Sequence, residues 1–249
     1  MNLSENEYQK LYKLQDKVFK VLSGHYGSLY LTGGTALGRF YLNHRYSDDI
    51  DLFTHSDYSF KDAVTKIRNV LASKFKTLTD KLLLYDEFIR IWIEDNDCQL
   101  KIEFVNDVPY RWGNTELING IPIDTPGNIL SNKLTALVSR DEPKDVFDIV
   151  HIALNYSFKW DQVFEHSVQK AIVAEQDVVM RLETFPVELF VTQPWLMSMV
   201  NTDSLKSKIK TIFRRNFIYY ISLATNRPQF LSPEVHSDAC EFFSVACNL

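Results

Sequence analysis

The chain has 249 residues, 45% of them hydrophobic, enough for one large or two modest domains around a real core. A net charge of −5 argues against a surface that coats nucleic acid or anionic lipid wholesale, while leaving room for a local basic face. Cys98, Cys240 and Cys247 are scattered, the start is polar and acidic, and no run approaches the roughly 18 apolar residues of a membrane span. A soluble cytoplasmic protein without a disulfide framework, a thiolate metal site or a membrane segment is expected.

Apolar residues recur at helical spacing from Glu7 to Leu22, and Gly24 closes that helix. Leu29-Tyr30-Leu31 reads as a short strand running into Gly33-Gly34, with a helix from Thr35 to Tyr41. Ile50 to Phe53 is the next strand and Ser59 to Lys74 the next helix. Three runs with β character follow: Thr77 to Tyr85, Phe88 to Glu94, where Ile89, Ile91 and Ile93 alternate with Arg90, Trp92 and Glu94, and Gln99 to Val105. Around Pro109 to Pro126 the chain becomes rich in Gly, Pro and Asn, and strand signals fade beyond it, which marks a domain boundary. Thr125 as N-cap and Pro126 at the first helical position predict a helix from Pro126 to Ser139. Pro143 starts another to about Leu154, and the remainder reads as mainly helical.

In Ser47-Asp48-Asp49-Ile50-Asp51-Leu52-Phe53, strand alternation puts Asp49 and Asp51 on one face and Ile50 and Leu52 on the other. Two carboxylates so spaced suit Mg²⁺, or Mn²⁺, which takes hard oxygen ligands from carboxylates and substrate phosphates. A bare pair of this kind is also what a solvated acidic strand end looks like. Its neighbours favour the metal. The side-chain-free turn at Gly33, Gly34 and Thr35 lets backbone N–H groups approach a triphosphate at the start of a helix. In Lys101-Ile102-Glu103-Phe104, Glu103 alternates away from the apolar residues and can turn toward the aspartates as a third carboxylate.

These residues resemble the nucleotidyltransferase superfamily that includes DNA polymerase beta, with its Gly-Gly or Gly-Ser turn followed at a distance by D-x-D. The closer resemblance, over about residues 28 to 155, is to the AbiEii/AbiGii toxin family. It rests on Gly33-Gly34-Thr35-Ala36-Leu37, on His44-Arg45-Tyr46-Ser47-Asp48-Asp49-Ile50-Asp51-Leu52-Phe53, on Lys133-Leu134-Thr135-Ala136-Leu137 with Arg140, and on Lys144-Asp145-Val146-Phe147-Asp148. The resemblance implies transfer of NMP from an NTP by a two-metal in-line displacement, with Asp49 and Asp51 holding both ions and Glu103 binding the activating metal or accepting the proton. It implies an α+β fold: a nucleotidyltransferase-type mixed sheet flanked by helices over residues 1–125, then a mainly helical domain over 126–249 that completes the nucleotide site and binds the acceptor. It also implies a cognate antitoxin as partner.

Helix geometry adds a reading of its own, since Lys133, Leu137 and Arg140 share one face while Asp145 and Asp148 share another. Cations there can hold nucleotide phosphates, so Lys133, Arg140, Lys144, Asp145 and Asp148 are nucleotide-site candidates, against the simpler reading of a salt-bridged helix pair. Arg45 and Ser47, just before the metal strand, are candidates for positioning the nucleotide or the aspartates; Arg39 reads as a solvated residue. Between Asp203 and Glu234 there is no acidic residue, and Lys206, Lys210 and Arg214 fall on one helical face. Phe213, Phe217, Tyr219 and Tyr220 nearby offer stacking surfaces. Such a basic stripe can track a nucleic-acid backbone, although a solvated basic helix has the same pattern, and the family resemblance implies an RNA acceptor such as the tRNA 3′ end. The alternatives are a small acceptor of the aminoglycoside type, a protein side chain, or a catalytically silent nucleotide-binding module.

Overall fold

The computed structural model describes residues 3–216, with side chains described through residue 210. The described residues form two compact units, one within Met1–Ile129 and Thr192–Met199, the other of Leu130–Val191 together with the described residues from Val200.

In the first unit, helix α1 (Glu5–Leu22) opens with a capping box in which Ser4 and Glu7 satisfy each other's end of the first turn. Its buried stripe, Leu11, Leu14, Val18 and Leu22, follows the predicted periodicity, and Gly24 ends the turn at φ +79°. Strand β1 (Tyr30–Thr32) runs directly into α2 (Gly33–Ala36), which widens into a π-type turn over Leu37–Tyr41. Strand β2 (Asp49–His55) is followed by α3 (Phe60–Ala72), β3 (Lys76–Thr77), β4 (Leu83–Leu84), β5 (Phe88–Asp95) and β6 (Cys98–Asp107). The expected strand from Thr77 to Tyr85 is broken by a 3₁₀ turn at Thr79–Lys81, so only its two ends pair, both with β5.

A hairpin of β7 (Glu116–Ile118) and β8 (Ile121–Ile123) fills part of the stretch assigned above to a boundary. Asn119 and Gly120, both at positive φ, form its two-residue turn. All the described strands join one mixed sheet in the order β3-β5-β6-β2-β1-β8-β7, with β4 on β5. The pairs β2–β6 and β1–β8 are parallel and the rest antiparallel. Along β2, β5 and β6 the alternation is strict: Ile50, Leu52, Ile89, Ile91, Ile93, Leu100, Ile102 and Phe104 are buried. Helix α1 packs on β6 and on α3. Burial of this apolar layer stabilises the sheet at roughly 25 cal/mol per Å² and leaves its alternate residues for chemistry.

The second unit is helical: most of α4 (Pro126–Ser139), then α5 (Pro143–Asn155), α6 (Trp160–Val168), α7 (Glu175–Thr184) and α8 (Thr202–Asn216). Thr125 caps α4 by accepting the Asn128 N–H, as its position predicts. The expected α+β class, a mixed sheet flanked by helices followed by a mainly helical region, is what the structure shows. No described helix is long and apolar enough to cross a membrane.

Candidate active site

Parallel pairing of β2 with β6 sets Asp49 opposite Lys101 and Asp51 opposite Glu103. Because both strands bury their even-numbered apolar residues, all four of these side chains share the other face. Asp49, Asp51 and Glu103 each bring a carboxylate oxygen to within 4.8 Å of the others. Three hard oxygen donors on a partly accessible sheet face fit Mg²⁺ or Mn²⁺, which bind through a few carboxylates plus water and phosphate oxygens.

Two cations temper the mutual repulsion of these carboxylates. Arg90, paired with Glu103 across β5–β6, sets its Nε 2.6 Å from Glu103 Oε1. Lys101 Nζ stands 3.2 Å from Asp49 Oδ2 and 3.4 Å from Glu103 Oε1. Burial works against the Lys101 charge, but Asp49, Glu103 and Asp51 together raise its pKa above the ordinary lysine value.

The glycine pair is required by close approach. A Cβ on Gly33, itself at φ +70°, would lie 2.5 Å from Asp51 Oδ2, and one on Gly34 would lie 2.4 Å from Arg45 Nη2 and 2.9 Å from Ser47 Oγ. Thr35 Oγ1 donates to the Asp49 carbonyl at 2.5 Å, while Gln15 Nε2 donates to the carbonyls of Ser47 and Asp49 at 3.1 and 3.2 Å. These bonds fix the backbone that presents Asp49. Ser47 Oγ also reaches Asp49 Oδ1 at 3.4 Å. Arg45, at 2% exposure, donates to the Tyr46 carbonyl at 2.9 Å and faces the Trp195 ring; Tyr46 N–H bonds the Trp195 carbonyl at 2.8 Å. Arg45 and Ser47 thus lie buried just before the strand that carries Asp49 and Asp51.

Residues 19–190 match the sequence profile described as "Nucleotidyl transferase AbiEii toxin, Type IV TA system". The chain belongs to this family. It is a nucleotidyltransferase of the AbiEii toxin kind, as the motifs imply. Among solved structures, it is similar to JHP933 from Helicobacter pylori, with 20% identity, TM-score 0.55 and coverage of 90% of this chain and 98% of that one. It is also similar to MenT4, a nucleotidyltransferase toxin from Mycobacterium tuberculosis H37Rv, with 14% identity, TM-score 0.60 and coverage of 83% and 82%. At such identities the likeness speaks to the fold. No curated protein matches the sequence at a significant level.

The helical unit of this AbiEii protein carries its own charged cluster. Lys133, nearly buried, donates to Asp145 Oδ1 at 2.7 Å and pairs with Asp148 Oδ2 at 2.8 Å. Arg140 Nε donates to Asp145 Oδ2 at 2.7 Å, with its side chain 60% exposed. Burial would raise the Asp145 pKa, but the charge of Lys133 and the hydrogen bonds from Arg140 and Lys133 outweigh it and hold the carboxyl below its ordinary range. Lys144, the second residue of α5, gives its backbone N–H to the Glu142 cap. In α8, Lys206 pairs with Glu188 and Lys210 is exposed; the side chain of Arg214 and residues Phe217, Tyr219 and Tyr220 lie outside the described ones.

Several contributors escaped the sequence reading. Arg39 is not simply solvated: it binds Asp16 and Gln15 and lies 4.5 Å over the Tyr12 ring. Asp124, fully buried, accepts from Thr32 Oγ1 at 2.8 Å, Arg111 Nη2 at 2.9 Å and Asn128 Nδ2 at 2.8 Å, steadying the strand end where Thr32 stands opposite Asp51. No motif marked Asp124. The β5–β6 turn at Asn96-Asp97 sets the register that puts Arg90 opposite Glu103, whereas Lys101 meets Asp49 through the β2–β6 pairing.

Proposed function

We propose that this AbiEii nucleotidyltransferase moves NMP from an NTP to an RNA acceptor, with the tRNA 3′ end as the first candidate, and does so with divalent metal. The observation that carries the reading is the convergence of Asp49, Asp51 and Glu103 beside the glycine turn. A divalent ion held by these carboxylates would supply positive charge to phosphate oxygens and lower the pKa of an acceptor hydroxyl. Glu103 is suited to accept the acceptor's proton or to share in metal binding, and Arg90 keeps its carboxylate aimed. A triphosphate approaches the turn at the partly accessible Gly33, while the buried Gly34 and Thr35 hold that turn against Arg45, Ser47 and the Asp49 carbonyl.

In the helical unit, Arg140 is the residue suited to meet a nucleotide phosphate, because its side chain is largely exposed. Lys133, Asp145 and Asp148 support it through their ion pairs, and Lys144 adds a cation at the start of α5. Lys206, Lys210 and Arg214 are proposed as acceptor contacts, for which the run of cations between Asp203 and Glu234 is the support. The family's description as a type IV toxin–antitoxin system supports a cognate antitoxin as partner.

The test is incubation with Mg²⁺, each labelled NTP and total tRNA, beside an Asp49→Asn/Asp51→Asn control, read on a denaturing gel. Label on RNA from the wild type alone is expected and names the nucleotide. Label absent from RNA but found on a small molecule or on protein would overturn the RNA acceptor while keeping the chemistry.

A further inference from the structure

Lys101 lies two residues before Glu103 on the same face of β6, opposite Asp49 in register, and its ammonium bridges the Asp49 and Glu103 carboxylates at 3.2 and 3.4 Å. We propose that Lys101 is an internal cation of the acid triad that a divalent ion must displace, so that this residue sets the metal concentration at which the site loads. The inference rests on the metal-binding reading of Asp49, Asp51 and Glu103.

The argument is one of charge and reach. Three carboxylates this close repel one another, and an ammonium placed between two of them offsets that repulsion. A divalent ion needs the same oxygens, and its charge opposes an ammonium a few ångströms away in a partly dehydrated site. Arg90 does not face this conflict in the same form: its planar fork grips Glu103 alone from the neighbouring strand. Lys101 differs by its flexible four-carbon stem and a side chain 25% exposed, which gives the ammonium a route to water while the stem stays on the sheet. The competition makes metal affinity weaker than three carboxylates alone would give, and keeps them together at low metal.

The test compares Mn²⁺ affinity, by titration calorimetry or by the spin-resonance signal of free Mn²⁺, in the wild type, Lys101→Met, Lys101→Arg and Asp51→Asn. Lys101→Met is expected to bind Mn²⁺ about tenfold more tightly and Lys101→Arg, which keeps the charge on a less yielding fork, no more tightly than the wild type. Affinity in Lys101→Met equal to or weaker than the wild type overturns the proposal. Asp51→Asn reads the underlying site separately, because Mn²⁺ binding equal to the wild type there would remove the metal site itself and the inference with it. Should Lys101→Met not fold, amine-reactive labelling of the wild type decides: Mn²⁺ is expected to increase labelling at Lys101, and unchanged labelling overturns displacement.

Discussion

Gly33 faces Asp51 so closely that a methyl group on the glycine would stand 2.5 Å from the carboxylate Oδ2. The glycine turn and the aspartate strand are therefore one structural feature, held in register by the antiparallel pairing of Thr32 with Asp51.

Gly33→Ala should cost activity far more than stability. Strain at φ +70° is worth about 1–2 kcal/mol, whereas the clash displaces Asp51 and should lower nucleotide incorporation at least ~10-fold. Gly24→Ala is the control, since Gly24 has φ +79° with nothing near a new Cβ. Thermal melts and incorporation rates on both variants separate strain from displacement; equal activity in the two would remove the link between Gly33 and Asp51.

Arg90→Met leaves Glu103 without its guanidinium in a pair whose side chains are 34% and 15% exposed, with Lys101 still 3.4 Å from the carboxylate. Stability should change by about 1 kcal/mol or less, and kcat should fall more than KM rises. A full kinetic profile checks this, and an unchanged kcat would mean that Glu103 needs no aiming.

Lys133→Met removes the ammonium that pairs with both buried Asp145 and Asp148, with Arg140 still holding Asp145, and should destabilise the helical unit by about 3–5 kcal/mol in chemical denaturation. The same cluster predicts acid sensitivity. Asp145 has its folded pKa held below the unfolded value, so its contribution is fully present above about pH 4 and lost as pH falls through the depressed value. Lys133→Met should flatten that part of the stability profile.

Asp124→Ala should also be severe, about 3–5 kcal/mol, because it leaves the Arg111 guanidinium buried without its carboxylate. A melting temperature close to the wild type would show that Asp124 does not anchor the end of β1.

The sheet face that carries the site was legible because alternation is local. Ile50 and Leu52 must be buried, so Asp49 and Asp51 must share the opposite face, and Glu103 follows from Ile102 and Phe104 in the same way. Which strands lie side by side is not local. The parallel pairing of β2 with β6, which sets Glu103 opposite Asp51, joins strands far apart in the chain and is visible only in the structure. The hairpin at Glu116–Ile123 lies within the Gly-, Pro- and Asn-rich stretch, where Asn119-Gly120 between apolar residues is as much a hairpin turn as a linker signal. Asp124 was invisible because a single buried acid has no pattern; only its partners, from distant parts of the chain, give it meaning.

The most direct measurement is metal-dependent pyrophosphate release from NTP in the presence of RNA, comparing the wild type with Glu103→Gln. A drop of about 100-fold or more, with the melting temperature kept, is expected if Glu103 acts with Asp49 and Asp51 as one catalytic group. Release at the wild-type rate would contradict the account.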